Sequence, residues 1–263
     1  MITSLRNTQV QAARKLAKRT VRDSLRQFLI EGPNGVERAL STGAPLVCIF
    51  VEGPDNGFPE LTRLARAGGL QVFTVSDAVM RAMSSTTTPP GILAICRFVD
   101  RDPAALLRNP PSLGVVLAGV RDPGNAGTIL RSSAAAGADA IFLGAETVDL
   151  YNPKLVRATV GALFDLPICR NVEIPWLLQE FGNLGVQRVA ADPSGEAVYD
   201  QVDFRRRTAL VLGNEAWGVP AELAAAVDAR VSIPMSKSVE SLNVGMAATV
   251  LLFEAARQRR AAR

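Results

Sequence analysis

LGVVLAGVRDPGNAGTILRSSAAAGADAIFLG, residues 113–144, decides the fold class. LGVVLAGV is a short apolar run ending near a glycine and reads as a buried strand. TILRSSAAAG reads as a helix closed by glycine, and ADAIFLG is a second strand. Between them Asp122, Pro123, Gly124 and Asn125 are expected to form a turn, with Gly127 letting the helix begin close to the strand end. Arg131 then falls one turn into the helix, within reach of an anion at its N-terminus. Two strands joined by a helix predict a parallel pair.

The pattern continues downstream. PKLVRATVGAL (153–163) is a predicted helix, followed by the strand LPICRNV (166–172). Later strands are GVQRVAAD (185–192), TALVLG (208–213) and ARVSIPM (229–235), and a long helix opens near Leu242. Such alternation implies an α/β fold with a mostly parallel sheet covered by helices on both faces. Upstream, a basic helix over 4–19 precedes QFLIEG, PNGVERALSTG, LVCIFVEG, PELTRLARAGG, QVFTVS, DAVMRAM and GILAICRFV, a smaller α/β unit. DRDPAALLRNPPS (100–112), with three prolines, is the best linker. The expected division is therefore a front domain over 1–100, a linker over 101–112 and a second domain over 113–263. A chain of 263 residues suits two domains.

Composition removes several kinds of chemistry. Histidine is absent, so a Ser-His-Asp triad and most zinc sites are excluded. Cys48, Cys96 and Cys169 lie far apart in apolar runs and form no CxxC pair, which fits buried thiols and no metal site. No apolar run is long enough to span a membrane. The N-terminal segment has no apolar signal core; its basic composition resembles a transit peptide, but it also fits an RNA-facing helix, which is the preferred reading, and a cytoplasmic location is expected. There is no G-x-G, so an ordinary dinucleotide site is disfavoured, and no P-loop.

Charge is unevenly placed. Residues 1–26 carry +6 and residues 255–263 carry +4 against a total of +4, so 27–254 are net −6. Basic ends of this kind suit a phosphate backbone, with Arg14, Lys15, Lys18 and Arg19 as candidate RNA contacts; they suit a solvated helix face as well.

Three polar loops follow strands in the second half. In the first, Asn125 and Arg131 also fit a cap and a solvated helix residue. In the second, LVLGNEAWGVP (210–220), Glu215 and Trp217 sit between glycines directly after a strand, where the backbone can approach a ligand. In the third, Ile233-Pro234-Met235 ends a strand and Ser241-Leu242-Asn243 opens the final helix, Ser241 as N-cap and Asn243 inside it.

Taken together, N-x-G-x-x-x-R, L-G-N-E-x-W-G-V-P, and I-P-M followed by S-L-N-V resemble, in order, the three signature motifs of the SpoU/TrmH family of RNA 2′-O-ribose methyltransferases. The resemblance covers 113–257, and Ala216 stands where some members carry glycine. FLIEGPNGVERAL (28–40) and TPPGILAI (88–95) resemble that family's substrate-binding domain, an α/β module like certain RNA-binding ribosomal proteins. The resemblance implies a trefoil-knotted catalytic sheet that binds S-adenosylmethionine through Gly213, Ile233 and Leu242, with Leu212, Pro234 and Met235 beside them. It implies that Arg131 activates the ribose hydroxyl and that Asn125, Glu215, Ser241 and Asn243 position the reacting groups. A guanidinium does not readily give up its proton, so holding a phosphate and stabilising alkoxide charge is the role that suits Arg131. It further implies a homodimer, with the apolar closing helix (Val244, Met246, Ala247, Val250, Leu251, Phe253) in contact, and the basic ends as RNA clamps. Structured RNA is the expected substrate, 23S ribosomal RNA before tRNA because of the front domain. The alternative is a non-catalytic RNA-binding ribosome-assembly protein with the same fold, against which the presence of Arg131, Glu215 and Asn243 speaks.

Overall fold

The computed structural model describes residues 1–53, 57–236 and 241–262. Its chain divides into two compact units, one of residues Met1–Val99 and Tyr151–Asp165, the other of Asp100–Leu150 and Leu166–Arg263.

The first unit begins with helices α1 (Thr8–Lys15) and α2 (Arg19–Leu25), where one basic helix was expected. Asn7 caps α1, its side chain accepting from Gln9 N at 2.9 Å. Buried Arg22 donates to the carbonyls of Leu16 and Ala17 at 2.9 and 2.8 Å, closing the bend between the helices. Then follow β1 (Gln27–Glu31), α3 (Pro33–Ser41), β2 (Leu46–Glu52), α4 (Pro59–Ala67), β3 (Gln71–Val75), α5 (Asp77–Met83) and β4 (Ile92–Arg97). The strands form one sheet in the order β1-β4-β2-β3, with β4 antiparallel to both neighbours and β2 parallel to β3. Val10, Ala13 and Leu16 pack with Phe50, Val79 and Leu93 on it.

The second unit opens with α6 (Pro103–Leu107), so the expected linker contains a capped turn of helix, Asp102 accepting from Ala104 N at 3.2 Å. Next come β5 (Leu113–Leu117), α7 (Pro123–Ala136) and β6 (Ala140–Gly144). α8 (Pro153–Ala158) and a short 3-10 turn (Ala162–Phe164) interrupt the series and pack with the first unit. Sequence distance had placed this helix in the second domain; instead Arg157 pairs with buried Glu31 at 3.4 Å, and the Tyr151 ring lies 4.6 Å from that of Phe28. The second unit resumes with β7 (Ile168–Val172), α9 (Ile174–Asn183), β8 (Gln187–Ala191), β9 (Ala197–Val198), β10 (Thr208–Leu212), α10 (Ala221–Ala224), β11 (Ala229–Ser232) and α11 (Val244–Ala261).

These seven strands form a sheet in the order β7-β6-β5-β10-β8-β11-β9, every pair parallel. Val116, Phe142, Ala209 and Val211 pack with Leu177, Leu178 and Phe181 of α9 on one face. Their alternates Val115, Ile141 and Leu210 are also buried and point to the opposite face, as strand alternation requires. α7 and α11 lie side by side, with Gly245 against Thr128 and the hydroxyls of Ser132 and Thr249 2.8 Å apart. Because β10 inserts between β5 and β8, the sheet changes direction there, and parallel sheets bind ligands outside the carboxyl ends of their strands at such a point.

Candidate active site

The carboxyl ends of β8, β10 and β11 open into a cleft of about 520 Å³ in the second unit. Gly213, Asn214 and Glu215 border it from β10, Ile233, Met235, Ser241 and Leu242 from beyond β11, and Val244, Ala247 and Leu251 from α11. Of the expected cofactor residues, Gly213, Ile233, Met235 and Leu242 therefore share one cavity. Leu212 and Pro234 do not line it: Leu212 is fully buried in β10, and Pro234 is exposed. The wall made by Asp192, Pro193 and Ser194 was missed. Its sequence signal is the same as for the other loops, a short polar turn ADPSG directly after a strand.

The glycine of the second loop is sterically required. A Cβ at Gly213 would lie 2.1 Å from the carbonyl carbon of Gly218 and 2.3 Å from Val219 N, both backbone atoms. The loop folds back so tightly because Asn214 and Gly218 exchange two backbone hydrogen bonds, each 2.9 Å. Buried Asn214 donates its side-chain amide to Gly119 O at 2.8 Å and accepts from Ala216 N at 2.9 Å, tying this turn to the end of β5.

Helix α7 starts four residues earlier than the sequence suggested. Asp122 is its N-cap, accepting from Asn125 N at 2.8 Å, and Pro123 occupies the first helical position that proline favours. The expected turn over 122–125 is thus already helix, and Arg131 lies about 12 Å along the axis from Pro123, not one turn in. Arg131 is exposed, and among the described residues its guanidinium has no hydrogen bond or ion pair. The start of α11 differs in the same sense: Asn243 is the N-cap, its Oδ1 accepting from Gly245 N at 2.9 Å and Met246 N at 3.3 Å, while exposed Ser241 lies outside the helix. This accounts for an asparagine that looked misplaced inside a helix.

A line of side chains joins all three loops. Glu215 Oε1 accepts from Asp122 N at 3.0 Å and Asn125 Nδ2 at 3.1 Å, and its Oε2 accepts from Arg121 N at 3.2 Å. Asn125 Oδ1 accepts in turn from Asn243 Nδ2 at 2.8 Å. Burial pushes the Glu215 carboxyl pKa up, but the hydrogen bonds from Asp122 N, Asn125 and Arg121 N outweigh it and leave it below the usual value. The carboxylate therefore sits at the N-terminus of α7, where negative charge is stabilised.

The cleft's chemistry selects its ligand. Two carboxylates, Asp192 and Glu215, and no Lys or Arg are among its described lining residues. Asp192 is paired with Arg230 at 3.5 Å and the Glu215 oxygens are taken up at the start of α7, so the lining offers no cationic side chain to a di- or triphosphate. Its size fits a nucleoside-sized molecule, and Val219, Val231, Met235, Ala247 and Leu251 offer the apolar surface such sites use. Thiol chemistry is not on offer: burial pushes Cys48 up to about 11 and Cys96 and Cys169 up to about 12.

The expected RNA contacts divide into two kinds. Arg14, Lys15, Lys18 and Arg19 are exposed at the end of α1 and the start of α2, with Arg19 3.6 Å from Asp23. The C-terminal arginines, expected as clamps, are partly committed elsewhere. Arg259 donates to the carbonyls of Phe204, Ser112 and Arg206 at 2.9, 2.7 and 2.9 Å, and Arg257 pairs with Glu254 at 2.7 Å. Arg263 lies outside the described residues.

Residues 112–253 match the SpoU rRNA Methylase family, and residues 7–94 match the MRM3-like substrate binding domain. Among curated relatives, the chain is 31% identical to the 23S rRNA (guanosine(2553)-2′-O)-methyltransferase of Bacillus subtilis, covering 96% of this chain and 97% of that protein. It is also 31% identical to the 23S rRNA (uridine(2479)-2′-O)-methyltransferase of Streptomyces viridochromogenes, covering 93% and 87%. Among solved structures, an AdoMet-bound rRNA methyltransferase from Sinorhizobium meliloti superposes with a TM-score of 0.86 at 32% identity, over 97% of each chain.

Proposed function

This chain belongs to the SpoU rRNA methylase family, and on that footing we propose that it transfers a methyl group from S-adenosylmethionine to a ribose 2′-hydroxyl of 23S ribosomal RNA. The observation that carries the reading is the hydrogen-bonded line Glu215–Asn125–Asn243, which brings the three loops together beside a nucleoside-sized cleft. Gly213, Ile233, Met235 and Leu242 hold the cofactor there. The bound cofactor supplies an electrophilic methyl on a sulfonium.

The acceptor hydroxyl is a weak nucleophile, so the protein must align it and stabilise the charge it develops. Arg131 does this by holding the neighbouring phosphate and facing the forming alkoxide; its lack of a carboxylate partner among the described residues leaves it available. Asn125, Asn243 and Glu215 fix the first turn of α7, and Arg131 projects from the same helix two turns further on. Ser241, at the cleft edge, contacts the acceptor nucleotide. Exposed Arg14, Lys15, Lys18 and Arg19 draw in the polynucleotide, and the match of this unit to a substrate-binding domain supports that role. The two 23S rRNA relatives act on a guanosine and a uridine, as chemistry at the ribose rather than at a base edge allows.

The same proposal includes a homodimer and a knotted chain path. Met246 and Phe253, seven residues apart on one face of α11, are 57% and 47% exposed and support subunit contact there. Leu251, expected in that contact, is buried within its own unit. The knotted path rests on the match to the family.

The test is transfer of tritiated methyl from S-adenosylmethionine to 23S rRNA and to tRNA from cells lacking the gene, followed by alkaline hydrolysis. The expected label is in 23S rRNA, in dinucleotides that resist alkali because their 2′-oxygen is blocked. Label confined to tRNA, or released in ordinary mononucleotides, contradicts the reading.

A further inference from the structure

Trp217 is 60% exposed, although the turn carrying it is closed on itself by backbone hydrogen bonds. The two Asn214–Gly218 backbone bonds close that turn, and the Asn214 side chain anchors it to Gly119. Among the described residues, the ring contact recorded for this large indole is with Arg121. The Arg121 guanidinium carbon lies 5.2 Å from the ring centroid. Arg121 is itself fixed at both ends, its backbone N–H donating to Glu215 and its guanidinium to Glu146 at 3.2 Å. Trp217 borders the cleft and Arg121 does not, so the pair straddles the rim.

We propose that Trp217, braced by Arg121, is the stacking platform for a nucleobase of the RNA at the acceptor site. Unpaired bases are bound by stacking on aromatic rings and guanidinium planes, and the two occur here side by side. The ribose to be methylated must reach the cleft from outside, so its base passes the rim where this pair stands. Stacking uses the π-face that every base has, so the platform positions the nucleotide without selecting its identity. The inference rests on the proposed methyl transfer to RNA and adds the residue that orients the acceptor.

Trp176 and Trp217 are the chain's two tryptophans, so in a Trp176→Phe protein indole emission reports on Trp217 alone. A transcript of 23S rRNA is expected to quench this emission beyond any change that S-adenosylmethionine alone produces. RNA retained on a filter from the same samples with emission unchanged overturns the platform. Emission that follows protein concentration instead of RNA also overturns it, by making the ring a subunit contact. No RNA retained at all overturns the underlying assignment of function. Trp217→Leu is expected to raise KM for RNA roughly tenfold or more, with cofactor Kd unchanged, while Trp217→Phe stays within about threefold of the parent. Equal KM in the Leu and parent proteins refutes the stacking role.

Discussion

The loops of the second unit and the basic helices of the first carry their chemistry in opposite ways. Around the cleft almost every polar group is spoken for: Asn125, Asn214, Glu215 and Asn243 are each held by named partners, and Gly213 is fixed by backbone atoms 2.1–2.3 Å from where a Cβ would stand. On α1 and α2, Arg14, Lys15 and Lys18 simply face solvent. Geometry specifies the first region and charge the second. The loops should therefore fail abruptly on a single atom, and the helices gradually with charge and salt.

The largest effect is expected from Gly213→Ala. The added methyl must push open the Asn214–Gly218 turn, costing roughly 3 kcal/mol, visible as a lowered Tm, together with loss of cofactor binding by calorimetry. A variant with parental Tm and affinity would show that the turn is looser than drawn. Next is Arg131→Ala, expected to lower kcat by about 10²–10³ while cofactor Kd stays within about twofold. Unchanged turnover would remove Arg131 from the chemistry. Changing Arg14, Lys15 and Lys18 together to Ala is expected to weaken RNA binding about tenfold at low salt and to reduce the slope of log K against log salt by about 2. An unchanged slope would make these side chains a solvated face and nothing more.

The smallest expected effect is the response of the Glu215 clamp to pH. Its folded pKa is depressed, so the stabilisation it gives is fully present above the ordinary glutamate value of about 4.3 and is lost as pH falls through the folded value. Cofactor affinity should therefore show no Glu215-dependent change between pH 6 and 8, which titration of the parent and Glu215→Gln proteins at both pH values will check. A step in the parent alone within that window would place the carboxyl in a different environment.

The same contrast explains what could be read from the sequence. Alternation of apolar runs with helical spacing gave every strand of the large sheet except the two-residue β9, because periodicity records which face of a segment is buried. It said nothing of neighbours. That β10 lies between β5 and β8, or that Tyr151–Asp165 packs with the first unit, depends on contacts far apart in the chain. Glycine and serine mark helix boundaries in sequence and put the start of α7 at Gly127 and the cap of α11 at Ser241, whereas Asp122 and Asn243 make the capping bonds. The second and third motifs pointed to the cleft, since close turns leave glycine no substitute; the first lines none of it and joins it through the bonds of Asn125 to Glu215 and Asn243. The wall at Asp192–Ser194 escaped because a polar turn after a strand is common and only its tertiary position makes it part of the site.

The central claim, that these separated loops form one cofactor site, is tested most directly by amide hydrogen exchange with and without S-adenosylmethionine. The account predicts new protection at 191–194, 213–219 and 233–235 and at the start of α11, with α1 and α2 unchanged. Protection in the first unit, or in only one of the three loops, would contradict it.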